Sequence, residues 1–329
     1  MSRPIDLAVA AAGRLRLLEV AMKVRRCPPV ILMYHGVTSL MAGRGLRNCE
    51  GKHTPVALFD KHLQLLRRSR RVIALREMVD GLANGQDLSD TVAITFDDGY
   101  LNNVLVAAPV LAEFNMTATF FLTTSLIDTD QYIWPDQLET ALDRTVHRAL
   151  TLPGMTEPCS LATVEEKRSA LRRIKQVLKV QSGHDIGGAV EQIVAALDVS
   201  THHADGDYRF MSWDQARELR QAGFDIGAHT VTHPILSKLP LPQAEAEILD
   251  SQQKVREEVG DCSTTFCFPN GKLADFNTEL QDVCRSHFKA ALSTERGAAS
   301  ARDMFALKRL SPAGVDGGEN IEWMLLRTR

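Results

Sequence analysis

Two adjacent carboxylates, Asp97 and Asp98, follow an apolar run in the stretch TVAITFDDGY and stand directly before Gly99. Successive side chains of a strand point to opposite faces, so acids paired within a strand do not share a site. At the end of a strand, where Gly99 frees the backbone, both carboxylates reach one pocket. The plain alternative is a solvated turn, because Asp-Asp-Gly is common turn chemistry. The pair alone leaves both interpretations open.

Two histidines, His229 and His233, stand four residues apart in FDIGAHTVTHP, just after another predicted strand. If the chain turns helically there, both imidazoles lie on one face within reach of a single metal ion. The alternative is that both histidines are structural. Thr230 occupies the position where an H-E-x-x-H metalloprotease has glutamate, so a general base has to come from elsewhere.

The acids and the histidines complement each other. One carboxylate and two histidines leave coordination positions open for water and substrate, which hydrolytic Lewis-acid catalysis requires. The second carboxylate, held beside the metal, can accept the proton of the attacking water. Together the two motifs predict a metal-dependent hydrolase.

These motifs resemble those of the polysaccharide deacetylases with a NodB-homology domain, carbohydrate esterase family 4. TFDDGY is similar to the first motif of that family, and HTVTH matches its second, H-[ST]-x-x-H. The resemblance implies that Asp97 is the general base. It also implies that Asp98, His229 and His233 bind one divalent ion, with zinc the first candidate. Flanking stretches that resemble the family are MYHGV, ATFFLTT, MSWDQARELRQAGFDIGAHTVTHP and FCFPNGKLADF.

The third motif departs from the family pattern R-x-P-[FY], because this chain has Cys267, Phe268, Pro269 and Asn270 there. The arginine that helps to orient the base is missing. The resemblance implies a substrate-binding role for Pro269 and Asn270, with the backbone N–H of Asn270 in an oxyanion hole. That role needs only a main-chain donor.

The late L-x-L-H motif, which carries the proposed acid of the family, has no match near the C-terminus. The early stretch LMYH resembles a strand ending in Tyr-His in the branch that deacetylates poly-β-1,6-N-acetylglucosamine. We therefore predict that His35 is the general acid, because it is the nearest imidazole at the end of a predicted inner strand. The alternative is that His35 only anchors the turn at Gly36 or supports the site from behind.

Short apolar runs alternate with helical patterns along most of the chain, which is typical of an α/β fold with parallel strands. The predicted strands are 30–34, 72–75, 91–96, 118–123, 224–228, 264–268 and 288–292, with an eighth near 307–310. The predicted helices include 103–115, 212–222, 242–259 and 276–286. Seven or eight βα units indicate a barrel, and the resemblance implies a distorted (β/α)7 barrel of the NodB type.

The expected organisation is an amphipathic helix over residues 1–28 and a deacetylase barrel over 29–329. A helical insertion over about 134–207 interrupts the barrel, because this segment shows helical patterns without strand runs. An insertion that follows a strand stands on the active-site face of a barrel. Trp134 at its entrance and Tyr100 beside the acids are candidate sugar contacts, since aromatic rings stack on sugars.

Composition and targeting signals bear on the partners and the location of the protein. With 38 basic and 41 acidic residues the net charge is −3, so the chain lacks the basic field that nucleic-acid binding needs. The six cysteines show no C-x-x-C pair, and we read them as free thiols. No signal peptide or membrane span is recognisable, which favours the cytoplasm. The helix at 1–28 either docks on the protein's own core or rests peripherally on the inner membrane.

The sequence therefore predicts a metal-dependent N-deacetylase that hydrolyses the acetamide of an N-acetylated sugar and releases acetate. The substrate is a polysaccharide or a lipid-linked or nucleotide-linked glycan precursor. The alternatives are an amidase or esterase acting on another acyl sugar, such as a deformylase or O-deacetylase, and a carbohydrate-binding homologue without turnover.

Overall fold

The computed structural model describes residues 26–39, 45–151, 157–181, 185–312 and 321–328, which form an α/β fold with parallel sheets. The strands are β1 (Val30–Tyr34), β2 (Gly36–Thr38), β3 (His53–Pro55), β4 (Arg71–Val72), β5 (Thr91–Phe96), β6 (Thr119–Leu122), β7 (Ala149–Leu150), β8 (Cys159–Ser160), β9 (Asp225–Ala228), β10 (Thr265–Cys267), β11 (Ala290–Arg296) and β12 (Leu307–Arg309). The α-helices are α1 (Val56–Ser69), α2 (Leu75–Ala83), α3 (Ala108–Glu113), α4 (Trp134–Arg144), α5 (Val164–Gln181), α6 (Ile186–Ala196), α7 (Trp213–Gln221), α8 (Leu241–Val259), α9 (Thr278–His287) and α10 (Ile321–Arg327).

Two parallel sheets carry the functional residues. The larger has the order β1-β5-β6-β9, with β4 paired to the first residues of β5, and the smaller has the order β10-β11-β12. Hydrogen bonds connect the outer strands of one sheet to those of the other. The backbone N–H of Met33 donates to the carbonyl of Leu310 at 2.8 Å, and the N–H of Ser263 donates to the carbonyl of Ile226 at 2.7 Å.

The central strands form because their residues are apolar on both faces, as parallel strands covered on both sides require. Every residue of β1 and of β5 is buried, and both strands have the predicted bounds. Parallel register places Tyr34 opposite Phe96. The Phe96 ring stacks between those of Tyr34 and Phe120, at centroid distances of 5.4 and 5.0 Å. Each such aromatic pair adds roughly 1 kcal/mol beyond the area it buries, so the ends of these strands are held firmly.

The helix boundaries follow local capping. Helix α7 begins with a capping box in which the Ser212 side chain and the Gln215 side chain bond each other's backbone N–H groups, as the sequence predicts. The predicted helix 276–286 begins later, because the Asn277 side chain, not Asp275, accepts the N–H of Leu280. The predicted helix 103–115 starts as a π-helical turn over Asn103–Ala107 before α3.

The chain between β6 and β9 contains α4, α5 and α6, and their apolar faces form a cluster separate from the sheet core. It also contains the antiparallel pair β7–β8, which joins Ala149 to Ser160 and Leu150 to Cys159. The expectation of helices alone misses this pair, because strands of two residues show no readable alternation.

Most of the predicted N-terminal helix, residues 1–25, lies outside the described residues. Residues 26–28 are described and are not helical. Over the described ranges, no helix is both long enough and apolar enough to span a bilayer.

Candidate active site

Most of the predicted site residues line one cavity of about 520 Å³ at the carboxyl ends of the strands. Its lining includes residues that immediately follow or end β1, β5, β9 and β12, together with residues of the loop after β10 and of α5. Carboxyl ends of parallel strands meet at one edge, so residues far apart in the chain converge there. Those that form the base of the cavity, here called the floor, are Asp97, Asp98, His229, His233 and Arg309.

Asp98, His229 and His233 form a three-donor cluster. The Oδ1 atom of Asp98 lies 3.5 Å from Nε2 of His229 and 3.4 Å from Nε2 of His233. The donor atoms of all three residues lie within 4.8 Å of one another, and all three side chains are buried. Two imidazoles and one carboxylate are the donor set of catalytic zinc sites, which keep a position open.

Several observations fit this cluster to a divalent ion. Asp98 Oδ1 is buried and makes no hydrogen bond within the described part of the chain. Nδ1 of His229 lies 2.7 Å from the carbonyl oxygen of Cys267, the arrangement that leaves Nε2 for a metal. Burial lowers the pKa of His233 to about 3, which keeps that imidazole in the neutral form a metal requires.

The backbone is strained where these ligands stand. Asp98 has φ 75° and Gly99 has φ 95°, while Thr230 and His233 have φ 68° and 60°. Left-handed conformations of residues other than glycine cluster at functional sites, because the surrounding structure has to enforce them. A helical turn between the histidines was the condition under which the sequence placed both imidazoles on one face. The structure has an irregular one instead, which the side chain of Thr230 closes by accepting the N–H of His233 at 3.0 Å.

Glu247 of α8 fixes this turn from outside. One of its carboxylate oxygens accepts the N–H groups of Val231 and Thr232, both at 2.8 Å. The other accepts the hydroxyl of Thr232 at 2.7 Å. Glu247 is therefore a positioning residue for the two histidines, and the sequence analysis did not identify it.

Asp97 is paired with a buried arginine that the sequence analysis also missed. The guanidinium of Arg309, on β12, donates to both carboxylate oxygens of Asp97 at 2.8 and 2.7 Å. Its Nε donates to the carbonyl of Ser293 at 2.8 Å, so the fork is held in one orientation. Arg309 supplies the charged contact to Asp97 that the cysteine in the third motif cannot.

This pairing decides the charge of Asp97. Burial would raise the pKa of the Asp97 carboxyl, but the guanidinium of Arg309 acts in the opposite direction, and the pKa is lowered below the ordinary value. The Cys267 thiol donates to Oδ1 of Asp97 at 3.4 Å, and burial raises the pKa of that thiol. Asp97 is therefore an oriented carboxylate with a neutral thiol beside it.

His35 lines the same cavity at the end of β1. The N–H of Asp97 donates to the carbonyl of Tyr34 at 2.9 Å, which places the residues that follow the two strands side by side. Burial lowers the pKa of His35, although Asp98 and Asp97 act in the opposite direction. In the protein alone the imidazole is therefore more readily neutral than an exposed histidine.

Lys52 enters the cavity from the segment before β3. Its ammonium donates to Asp136 at 2.5 Å and to the hydroxyl of Tyr100 at 3.0 Å. Burial lowers the pKa of Lys52, but Asp136 and Asp98 outweigh it and raise the pKa, so the ammonium stays charged. Tyr100 is itself fully buried, with its ring stacked on Phe210 at 4.9 Å, and it does not line the cavity. The Tyr100 ring therefore has no exposed face on which a sugar could stack.

Asn270 lines the cavity, whereas Pro269 is buried behind it and does not. Asn270 has φ 59°, and its buried Nδ2 has no hydrogen-bond partner among the residues described. Trp134 is also mostly buried, and it separates the main cavity from a neighbouring one of about 340 Å³. Both cavities have Ile133, Trp134 and His233 in their lining.

Comparison of the sequence with known proteins finds a matching family. The sequence model of the family described as "Polysaccharide deacetylase" matches residues 84–287. The Bacillus subtilis (strain 168) protein named "Putative polysaccharide deacetylase YxkH" is 24% identical over 284 residues, which cover 85% of this chain and 70% of that protein.

Several solved structures are similar in fold to this chain. The Streptococcus pyogenes deacetylase PplD, in complex with acetate, superposes with a TM-score of 0.59 at 18% identity, over 92% of this chain and 99% of that one. IcaB from Ammonifex degensii superposes with a TM-score of 0.57 at 16% identity, over 91% and 97% of the two chains.

Proposed function

Because the chain belongs to the polysaccharide deacetylase family, we propose that it is a metal-dependent N-deacetylase that removes acetate from an N-acetylated sugar of a glycan or glycan precursor. The observation that carries the proposal is the pairing of an arginine-oriented carboxylate, Asp97, with the three-donor cluster beside it. A base and an open metal position in one cavity are the two parts that acetamide hydrolysis needs.

Asp98, His229 and His233 would hold the ion, and zinc suits a donor set of two imidazoles and one carboxylate. The bound ion would polarise the acetamide carbonyl and lower the pKa of the attacking water.

Asp97 accepts the proton of the attacking water at the carboxylate that Arg309 orients. Arg309 keeps this carboxylate ionised before the reaction, since the two form a buried bidentate pair. As water adds to the acetyl carbon, the carbonyl oxygen takes on negative charge, and the backbone N–H of Asn270 is the proposed donor to it. The C–N bond then breaks, so that acetate and a free amino sugar leave.

The departing amine needs a proton at nitrogen, and His35 is the proposed donor. Its position on the cavity wall next to Asp97 supports this role. The alternative role for His35 is support of the turn at Gly36, whose neighbours include His53 and Asn102.

The His35 assignment is tested by the pH–rate profile of His35→Asn at full metal occupancy. If His35 is the acid, the high-pH limb flattens, and amide substrates lose more rate than an activated ester, whose leaving group needs no proton. An unchanged profile would remove His35 from the mechanism.

We also propose that the two sheets together form the distorted (β/α)7 barrel expected from the sequence, with the segment over about 134–207 as its insertion. The support is the pair of hydrogen-bonded junctions, Met33 with Leu310 and Ser263 with Ile226, which join the sheets at both of their outer strands. The insertion then carries Trp134 onto the substrate face, where the second cavity supports a role in binding a longer glycan.

The proposed function is tested by acetate release from N-acetylglucosamine oligomers together with metal analysis of the purified protein. We expect Asp98→Ala to lose the metal, and Asp97→Asn to keep it while losing roughly 100-fold or more in rate. Equal metal loss in both variants would contradict the division of roles.

Formylated and O-acetylated sugars in the same assay separate the deacetylase from the amidase or esterase alternative. Tight glycan binding without release of any acyl group would instead indicate a binding protein. The oriented Asp97 favours the enzyme, because a protein that only binds needs no base.

A further inference from the structure

One side of the cavity is basic. Lys175 and Lys179 reach it from α5, and Lys272 reaches it from the loop after β10. We call these three residues the basic wall. They line the same cavity as the floor, so one ligand that extends along the cavity can contact both.

The basic wall carries more positive charge than its protein partners neutralise. Lys175 forms an ion pair with Glu50 at 2.6 Å. Lys272 donates to the carbonyl of Thr294 at 3.2 Å, which satisfies one N–H without neutralising the charge. Within the described ranges, Lys179 has no carboxylate within 4.0 Å and makes no hydrogen bond through its ammonium.

The placement of Lys179 is unfavourable for the protein on its own. Lys175 and Lys179 are four residues apart on one helix, a spacing at which like charges repel. Burial lowers the pKa of the Lys179 ammonium, and Lys175 and Lys272 lower it further, although Asp275 and Glu50 act in the opposite direction. An anion between Lys179 and Lys272 would relieve both the repulsion and the lost hydration.

We propose that the basic wall binds a phosphoryl group carried by the substrate, so that the preferred substrate is an N-acetylated sugar bearing a phosphate or diphosphate. This inference rests on the proposed deacetylase function and names its substrate class. Lysines bind phosphate as point charges, whereas a planar carboxylate is better matched by the two-pronged fork of an arginine. Lys179 and Lys272 come from two separate elements, so they can approach different oxygens of one tetrahedral group.

The test compares two substrates, N-acetylglucosamine 1-phosphate and the neutral N-acetylglucosamine disaccharide, in the metal-loaded enzyme. We expect Lys179→Gln and Lys272→Gln each to raise KM for the phosphorylated sugar by roughly 10-fold, with kcat and the KM for the neutral sugar little changed. The matched control is Lys61→Gln, which removes one charge from an exposed position on α1 away from the cavity. Added salt should weaken use of the phosphorylated sugar more than use of the neutral one.

Any contribution of the metal to phosphate binding is common to the wild type and the lysine variants, so their difference isolates the basic wall. Equal effects on both substrates, or an effect of Lys61→Gln as large as those of the wall variants, would overturn the inference. A disaccharide that contains a uronic acid tests the alternative of a carboxylate ligand. If the enzyme prefers it over the phosphorylated sugar, and Lys179→Gln abolishes that preference, the phosphoryl assignment is wrong and the wall binds a carboxylate.

Calorimetric binding of N-acetylglucosamine 1-phosphate separates this inference from the proposed function. If no substrate releases acetate but the wall variants still weaken binding roughly 10-fold, the basic wall stands and the proposed function fails. If acetate is released and neither lysine affects binding, the proposed function stands and the basic wall fails.

Discussion

The floor and the basic wall of the cavity differ in how their charges are balanced. On the floor, Asp97 meets the guanidinium of Arg309, and Asp98 lies between two imidazoles. On the basic wall, only Lys175 has a carboxylate partner among the described residues. The floor residues end strands or follow them in the chain, whereas the wall residues come from a helix and a loop. The Asp97 charge on the floor is therefore paired within the protein, whereas Lys179 and Lys272 on the wall have no carboxylate partner among the described residues.

The largest expected effect comes from breaking the floor. Arg309→Met leaves the buried Asp97 carboxylate unpaired, so we expect a loss of about 3–5 kcal/mol in the free energy of unfolding and most of the activity. The double variant Asp97→Asn/Arg309→Met should recover much of that stability without activity, because no buried charge is left unpaired. Denaturant unfolding and acetate release measure the two quantities. A single variant as stable as the wild type would mean that the floor is not held by this pair.

The stability that His62 contributes beneath the floor should depend on pH. His62 is buried and lies 3.1 Å, Nδ1 to hydroxyl, from Tyr34, whose neighbour in the chain is His35. Burial lowers the pKa of His62 to about 4, so the folded protein keeps this imidazole neutral while the unfolded chain takes up a proton below about pH 6.5. The stability from this group is present above pH 6.5 and is lost as the pH falls towards 4.

Between pH 7 and pH 5 this loss amounts to about 2 kcal/mol. His62→Gln keeps a polar partner for Tyr34 but does not titrate, so its unfolding free energy should fall less over the same interval. Denaturant unfolding at both pH values measures the difference. Parallel curves for the two proteins would show that His62 does not contribute.

A smaller effect is expected from the turn that carries the histidines. Glu247→Ala removes the acceptor of two backbone N–H groups in that turn, so we expect metal affinity to fall roughly 10-fold with little change in the fold. Glu245→Ala, on the same helix, is the matched control. Competition with a chelator measures the affinity, and equal affinities of the two variants would mean that the turn holds its shape without Glu247.

The smallest effect should arise at the boundary between the cavities. Trp134→Ala should weaken binding of a longer N-acetylglucosamine oligomer by about 5-fold and leave a minimal N-acetyl sugar nearly unaffected. Trp134→Phe, which keeps an aromatic ring in the apolar cluster, is the control for packing. Equal losses on both substrates, or a lower melting temperature alone, would assign Trp134 to the core.

The sequence predicted best where chemistry and local pattern coincide. TVAITFDDGY and HTVTH place their functional residues directly after buried strands, and the structure brings Asp98, His229 and His233 together as the spacing indicates. Arg309 could not be found this way, because 212 positions separate it from Asp97 and no motif surrounds it. The missing arginine of the third motif was the available signal, since a buried carboxylate needs a cation from some strand.

Lys52 and Tyr100 show the opposite limit. Tyr100 ends the TFDDGY motif beside the two acids, which indicated a sugar contact, but its ring packs on Phe210 and its hydroxyl hydrogen-bonds Asp136 and Lys52. The position of Tyr100 in the sequence indicated that it lies near the acids but not which way its side chain points. The charged group that does reach the cavity, Lys52, comes from a segment without any recognisable motif.

The position of Arg309 has a consequence for tracing ancestry. In the family pattern the base-orienting arginine begins the third motif, where this chain has Cys267 on β10, and here the guanidinium arrives from β12, two strands along the same sheet. Cys267 on β10 and Arg309 on β12 both contact the carboxylate of Asp97. An arginine on either strand can therefore place its positive charge beside that carboxylate. A lineage passing through a state with both arginines would keep its base oriented throughout. Sorting relatives into active and inactive by the third motif alone would therefore discard chains with the arginine at the position of Arg309, whereas scoring positions 267 and 309 together would retain them.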